Sequence, residues 1–526
     1  MPSPRRFRRP DDFVNRIQDL QRLRFPLTAV EVPLYAQPGP GIEASARCCN
    51  LRRGAELSLD SFFNACFIGG NGWPFTLASN LSCNLILEGD VRIRLFVREG
   101  RGRERTVFET DVYGSVPDEP VSIPFEAAAP HGEPYRVFPR ITALSESATV
   151  HGGSYGCSAV GNAVTLGLVI CTYRREREAV ENAERLAMET DGIRSRCRIV
   201  MVDNGGTIDP ERLPEGVTLV RNRNLGGAGG FSRGLLELLE ERGCSHVVLM
   251  DDDIQLDTEC ILRCLNHFHH RPEGPAIAGV LLDEETPQRV QEAGAWLRES
   301  GSPLVVRPGL VGADLAEAST LDTLSDVPRP DYGGFWFFAF PLSTVRHHLL
   351  LPFFLKGDDV EFGLRLRQNG IGCTLLPGVG VRHPGFLDSF DMIKRYYWVR
   401  NMLAVEMLHG HRSALSLTHP LFIEACAERR RRRTEHLAAL VHGMDDFLKG
   451  PEWLERADNG RLVSSLKKEQ IRLAAAVGGK ASMLLFLQAV LCCLKIACTA
   501  RRLRMTWRGM ASCLASTHRW KERCSP

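Results

Sequence analysis

Hydrophobic positions along this chain follow three different rhythms. Between about residues 20 and 150, short alternating or apolar runs such as 82–87 (SCNLIL) and 91–97 (VRIRLFV) recur between Gly, Pro and Asp punctuation. Alternation puts every second side chain on one face, so this rhythm predicts antiparallel strands in an N-terminal β-sandwich, residues 1–150. The Gly/Ser-rich stretch 151–163 (HGGSYGCSAVGNA) reads as a linker or domain edge. The pattern then changes. Residues 164–170, 198–202, 217–220 and 247–250 are apolar strands. Between them, 175–188 carries Ala179, Val180, Ala183, Leu186 and Ala187 at helical spacing, and 231–239 is a second helix. Strands alternating with helices predict an α/β domain over 160–395 with a mostly parallel, doubly wound sheet. Its ligands are expected beyond the carboxyl ends of the strands. From 396 to 526 the chain reads as helical, with basic patches and no repeat of fixed period.

Composition narrows the classes. At 526 residues the chain has room for about three domains, and 44% apolar with 24% charged residues is ordinary for a folded globular protein. The 65 Lys and Arg nearly balance the 63 Asp and Glu, for a net charge of +2. A nucleic-acid partner held by bulk charge is therefore not expected. The 17 cysteines, with adjacent pairs at Cys48-Cys49 and Cys492-Cys493, show no disulfide-framework spacing. They read as reduced thiols in a cytoplasmic protein. No secretory signal is visible, and no run reaches the roughly 18–20 apolar residues of a membrane span. The nearest, 483–494, is a dozen residues long. Residues 501–526 carry seven basic side chains and one acidic. Together, 483–508 reads as a segment lying at a membrane surface, or as a buried helix with a solvated basic end.

Candidate chemistry sits at the strand ends. The first strand runs into Cys171-Thr172-Tyr173-Arg174 and the second into Asp203-Asn204-Gly205. Asn224-Leu225-Gly226-Gly227-Ala228-Gly229-Gly230 opens the following helix. Glycine amides at a helix N-terminus can approach a phosphate, and Asp203 can accept hydrogen bonds from a base or ribose. The spacing is not that of a dinucleotide fingerprint. The fourth strand ends in Asp251-Asp252-Asp253. In an extended backbone Asp251 and Asp253 share a side, and adjacent carboxylates call for a cation, Mn²⁺ or Mg²⁺ by hardness. Asp358 and Asp359 open a helix, where one can cap and the other act as base. His383 closes an apolar segment and can serve as a further metal ligand. The aromatic group Tyr332, Phe335, Trp336, Phe337 and Phe338 reads as core, with a sugar-stacking wall as the alternative. Cys260, Cys264 and His267 lack a matching second pair for zinc.

Taken in order, these segments, with 396–401 (YYWVRN) and 61–65 (SFFNA), resemble glycosyltransferase family 2 and within it the bacterial galactofuranosyltransferases of the galactan-polymerase type. The resemblance covers roughly 50–405. It implies a central GT-A domain, an inverting reaction, a UDP-sugar donor and a divalent metal. It further implies that Asp251, Asp253 and His383 hold the metal, and that Asp359 is the base with Asp358 beside it. Thr172, Arg174, Asp203 and Asn224 fall where the family holds uridine diphosphate, with Gly226, Gly227 and Asp252 alongside. Glu292 and Trp336 fall near sugar contacts. The implied partners are a nucleotide sugar and a glycan or polyprenyl-linked acceptor. The implied location is cytoplasmic, peripheral on the inner face of the cell membrane, and self-association into a homo-oligomer is compatible. Rival readings are another donor such as dTDP-rhamnose, a non-catalytic carbohydrate-binding scaffold, and a nucleotidyltransferase. The last of these would need a basic Gly-rich loop after the first strand.

Overall fold

The computed structural model describes residues 18–524 except the stretches 75–76, 78–80, 101, 127–132, 159–160, 190–192, 242, 299–301, 386–390 and 476–478. The chain is mixed α/β, with two large sheets followed by a helical C-terminal region.

The first sheet joins eleven strands among the described residues. Its spine is Leu81–Glu99, 19 residues long. The runs 82–87 and 91–97, expected as separate strands, are the two halves of this one strand. Gly89, with φ of +95°, bends the strand without reversing it. A Cβ at Gly89 would lie 2.8 Å from the carbonyl oxygen of Ser147. The first half pairs with Val121–Phe125 and Ser147–Cys157, the second with Arg103–Ser115 and Tyr135–Ala143. Both halves feed one apolar cluster that includes Leu85, Leu87, Ile93, Leu95 and Tyr155. Residues 151–157, expected as linker, belong to the Ser147–Cys157 strand. A Cβ on Gly153 would meet the Asn84 carbonyl at 2.2 Å, so its small size serves close strand approach. Residues 159–160 of that stretch lie outside the described residues.

Among the described residues the second sheet has nine strands: β1 (Leu166–Thr172), β2 (Cys197–Asp203), β3 (Val217–Arg221), β4 (His246–Asp251), β5 (Gln255–Leu256), β6 (Ala276–Asp283), β7 (Val290–Glu292), β8 (Phe337–Pro341) and β9 (Cys373–His383). The order is β3-β2-β1-β4-β8-β6-β9-β5, with β7 beside β6. The expectation of a mostly parallel sheet holds for one half only. Pairs among β1 to β4 are parallel, but β8 runs antiparallel between β4 and β6, and parallel pairing returns at β6 and β9. Helices α1 (Glu176–Met188), α2 (Gly226–Glu241) and α3 (Glu259–His270) link strands of this sheet. Helix α2 lies close on β1, because a Cβ at Gly234 would strike Val169 at 2.3 Å.

After α4 (Asp358–Gln368) and β9 come α5 (Met392–His409), α6 (Ala414–Arg430), α7 (Thr434–Leu448), α8 (Asn459–Ala475) and α9 (Gly479–Leu514). They share a core in which Trp507 of α9 stacks on Phe447 of α7 at 6.0 Å. The apolar run 483–494 proves to be part of a helix, Lys480–Leu514, that is long and apolar enough to cross a membrane, with mean hydropathy of 2.1 over its best window and a third of that window buried. Isolated polar residues such as Gln488 and Lys495 hide this in a search for unbroken apolar runs. Its inner residues Ala489, Ile496 and Trp507 are core, while Leu484, Leu487, Leu491 and Leu494 face outward.

The β-rich N-terminal sheet is stapled to the second sheet by charge. Arg22 donates to Glu259 at 2.9 Å and to Glu189 at 3.0 Å, and the Tyr35 hydroxyl donates to Asp257 at 3.0 Å. Arg136, fully buried, bridges Asp60 and Asp322, with Arg98 adding a 3.0 Å bond to Asp322. Removing one partner of a buried network strands the rest. Arg136→Met is expected to lower stability by about 3–5 kcal/mol, read as a lower urea midpoint. Arg52→Met, at an exposed pair with Glu43, should leave the midpoint in place. Equal midpoints for the two variants would show the buried staple to be inert.

Candidate functional site

The carboxyl ends of β1, β2 and β4 lie side by side. In register, Thr172 faces Asp203 and Cys171 faces Asp251. Asp203 is fully buried. Its carboxylate accepts the amides of Gly205, Gly206 and Ile208 at 2.9, 2.8 and 2.8 Å. It therefore shapes the loop after β2, and no part of it faces solvent. Thr172 is buried with its hydroxyl beside Asp252. Arg174 takes a left-handed backbone, φ +59°, and lies over the Tyr173 ring at 5.2 Å. That turn breaks strand alternation, so it is Arg175, overlooked in the sequence, that reaches the acids. It bonds Asp252 at 3.3 Å and also pairs with Asp253.

The first two amides of the glycine cluster are engaged within the protein, where the sequence predicts amides open to a phosphate. Gly226 N donates to the Asn224 side chain at 3.0 Å and Gly227 N to the Phe354 carbonyl at 2.9 Å. The positive φ of Gly226 and its lack of a Cβ, which would lie 1.9 Å from the Phe354 carbonyl oxygen, let α2 meet the loop before α4. A Cβ on Gly227 would lie 3.7 Å from Asp358. The glycines thus bring the Asn224 turn and Asp358 together.

His383, about 130 residues after the triplet, ends β9 with Nε2 3.4 Å from Asp253 Oδ1. Its Nδ1 donates to the Pro384 carbonyl oxygen at 2.5 Å. Burial pushes the Asp251 carboxyl up to about 7, and the charges of Asp253 and Asp252 push the same way. For Asp253 burial acts upward too, but the His383 hydrogen bond and the charges of His383 and Arg175 hold it below the usual carboxylate range. Hard oxygen donors and one imidazole, with repulsion unrelieved at Asp251, suit a divalent cation. Among the described residues no three His, Cys, Asp or Glu side chains are gathered closely enough to enclose an ion. In this conformation Arg175 sits on Asp252 and Asp253.

Asp358 and Asp359 begin α4, but neither is its cap. Gly357, φ +82°, takes that position, and Asp359 Oδ1 accepts the Val360 amide at 2.8 Å. Burial raises both carboxyls, Asp358 to about 7 with the charge of Asp359 adding to it. Glu292, on β7, is raised to about 8, by burial and then by Asp359. Its Oε1 is buried without a partner. Asp359 and Glu292 therefore face one another closely enough to interact, beside Tyr332. Trp336 is the half-buried member of the aromatic group, donating to the Gly279 carbonyl at 3.1 Å, and Tyr332, Phe335, Phe337 and Phe338 are core. Cys260, Cys264 and His267 are buried in α3, and the Cys260 thiol donates to the Gly380 carbonyl at 3.4 Å.

Two further features went unread in the sequence. Lys356 lowers the carboxyls of Asp251, Asp358, Asp359 and Glu292 alike, which makes it the cation shared by both acidic groups. The loop carrying it is strained, with Phe354 and Lys356 both left-handed. It is held by α5: Asn401 Nδ2 donates to the Leu355 and Lys356 carbonyls at 2.9 and 2.7 Å, and Arg400 donates to that of Phe353 at 2.9 Å. The only sequence signal was the segment 396–401, quoted for its resemblance.

No protein-family model matches the chain. It is 26% identical over 434 residues to "Galactofuranosyltransferase GlfT2" of Mycolicibacterium smegmatis, an alignment covering 76% of this chain and 65% of that protein. The Mycobacterium tuberculosis protein of the same name is 26% identical over 430 residues, covering 76% and 66%. "Galactofuranosyltransferase GlfT1" of M. tuberculosis is 27% identical over 243 residues, covering 43% of this chain and 72% of the relative. A solved structure of GalNAc-T7 with UDP, GalNAc and Mn²⁺ matches 47% of this chain and 48% of its own at 14% identity, with a TM-score of 0.35. The resemblance read from the motifs is borne out by these relatives: over three quarters of its length the chain is similar to galactofuranosyltransferases, and it spans about two thirds of the two longer ones.

Proposed function

We propose that this chain is an inverting, metal-dependent glycosyltransferase. It moves a sugar, galactofuranose from UDP-galactofuranose, to a hydroxyl of a glycan or polyprenyl-linked acceptor in cell-envelope polysaccharide synthesis. On this reading residues 160–395 form a GT-A domain, 1–150 a β-sandwich and 396–526 a helical region. The observation that carries it is the convergence of groups distant in sequence, Asp253 with His383 and Asp359 with Glu292, with Lys356 acting on both acidic clusters.

Single-displacement inversion needs one base and no protein nucleophile. Asp359 takes the proton from the acceptor hydroxyl. Glu292, mostly protonated near neutral pH, is able to donate a hydrogen bond to a sugar oxygen. Asp251, Asp253 and His383 would hold the divalent ion, which when bound supplies positive charge to the departing diphosphate. Thr172, Arg174, Asn224 and Asp252 line the nucleotide side, where Asp203, Gly226 and Gly227 shape the loops. Trp336 lies at the donor side, next to Asp251, whose amide reaches its carbonyl at 3.4 Å. The similarity to galactofuranosyltransferases supports the donor choice. The outward leucines of α9, with Arg501 and Arg502 beyond them, support a peripheral place on the inner face of the membrane.

Asp359→Asn is expected to cut transfer from UDP-galactofuranose by about 10²–10⁴-fold with thermal unfolding not lowered, and full turnover would remove the base assignment. Chelation should abolish transfer and added Mn²⁺ restore it. Since the charge of Lys356 lowers the Asp359 carboxyl, Lys356→Met should raise it. The acid limb of kcat/KM then moves to higher pH, with activity lost at neutral pH and recovered above it. A limb that stays put means Lys356 does not face the working base. Replacing Leu484, Leu487, Leu491 and Leu494 by Ser should reduce co-flotation with anionic vesicles, and equal flotation counts against the membrane face.

A further inference from the structure

A cavity of about 1600 Å³ opens at the other end of α4, between that helix, the loops around 296–305 and 328–331, and the junction of α5 and α6. None of the residues assigned above to the carboxylate site lines it. Its charge is opposite to that of the site. Four arginines line it, Arg298, Arg329, Arg367 and Arg412, against two carboxylates, Asp331 and Glu406. Arg367 pairs with Asp331, and Arg412 lies 3.6 Å from Glu406. Arg298 and Arg329 are exposed and have no acidic partner among the described residues.

Two more features point the same way. The 17-residue helix α6 begins at the cavity wall, capped by Ser413, whose hydroxyl accepts the Ser416 amide at 3.2 Å. The positive end of its dipole is therefore turned to the cavity, which the last turns of α4 and α5 also line, so the arginines carry most of the positive charge there. His409, its side chain nine-tenths buried, lines the cavity with Nε2 3.2 Å from Glu361, while its Nδ1 is buried without a hydrogen-bond partner. Trp296 and Pro330 add flat apolar surface. Two guanidinium groups without an acidic partner and a helix start leave the cavity with positive charge to spare. The space exceeds that of one phosphate.

We propose that this cavity is a second binding site, for a diphosphate group. Arg298 and Arg329 take its oxygens as planar donors, and the first turn of α6 faces its charge. The diphosphate is either free in solution or carried by a lipid-linked glycan. The second source rests on the transferase reading, whereas the site itself does not. An occupant reaching His409 touches the side chain that holds Glu361, two residues beyond Asp359 on α4.

The test is calorimetric titration of inorganic pyrophosphate into the full chain in metal-free buffer. Saturable binding is expected, weakened about tenfold or more in the R298A/R329A variant. Both side chains are exposed, so the variant should fold, and unchanged UDP binding in the presence of Mn²⁺ checks this. Absent binding, or equal binding in the variant, overturns the proposal. Transfer assays then separate the sources. A KM increase confined to a diphosphate-linked acceptor, with an uncharged glycoside of the same sugar unaffected, assigns the acceptor's diphosphate. Unchanged KM for both, with pyrophosphate binding lost, assigns the free anion. Wild-type protein that binds pyrophosphate but transfers no sugar defeats the transferase reading and leaves the cavity site standing.

Discussion

Carboxylate crowding is the constraint on which the rest of this structure depends. Asp251, Asp252, Asp253, Asp358, Asp359 and Glu292 come from three separate segments and end in one partly buried region. Burial, and after it the like charge of neighbouring carboxylates, pushes the carboxyls of Asp251, Asp358 and Glu292 upward. Such groups oppose folding above pH 4, since each must either hold its proton or stay charged without enough water. Among the described residues, Arg175, His383 and Lys356 are the cations that answer them. A site built this way is short of positive charge, and a cation-bearing diphosphate is a chemistry that makes up the deficit.

The backbone around the acids is shaped to bring them together in spite of that repulsion. Gly226 exists so that α2 can touch Phe354, and Phe354 and Lys356 accept left-handed conformations so that α4 can begin at Asp358. These strained residues do not hold themselves. Asn401 and Arg400 donate four side-chain bonds to the carbonyls of 353–356. Each is worth only about 0.5–1.5 kcal/mol net, but leaving those buried carbonyls unpaired costs more. The first helix of the C-terminal region is thus part of the support of the site.

Much of this was legible in the sequence because strand ends and helix starts carry their own signals. The apolar runs before Thr172, Asp203 and Asp251 located β1, β2 and β4 within two residues, and the acidic pair marked the start of α4. What escaped depended on contacts that no local pattern encodes. Gly89 reads as a turn whether it reverses a chain or bends it, and the difference lies in Ser147, far along the chain. That Arg175 reaches the acids depends on one positive φ at Arg174. Lys356 looked like an ordinary loop lysine, and its importance comes from four carboxylates placed around it by tertiary folding. The antiparallel insertion of β8 was invisible because Phe337–Pro341 is apolar on both faces, as a buried parallel strand would be.

The N-terminal sheet is bound into the same arrangement. Glu31 accepts the Leu27 and Thr28 amides at 2.8 and 3.2 Å, which fixes its carboxylate, and it pairs with Arg382. Arg382 is buried and precedes His383 on β9. Asp257, four residues beyond Asp253, takes hydrogen bonds from Tyr35 and Arg24. Both segments that supply the Asp253–His383 pair are thus anchored on their outer side by charged or polar groups of the N-terminal unit. A buried Arg382 without Glu31 would be an unpaired cation, costly to keep in place. The β-rich unit is therefore a structural requirement of the pair, whatever else it binds.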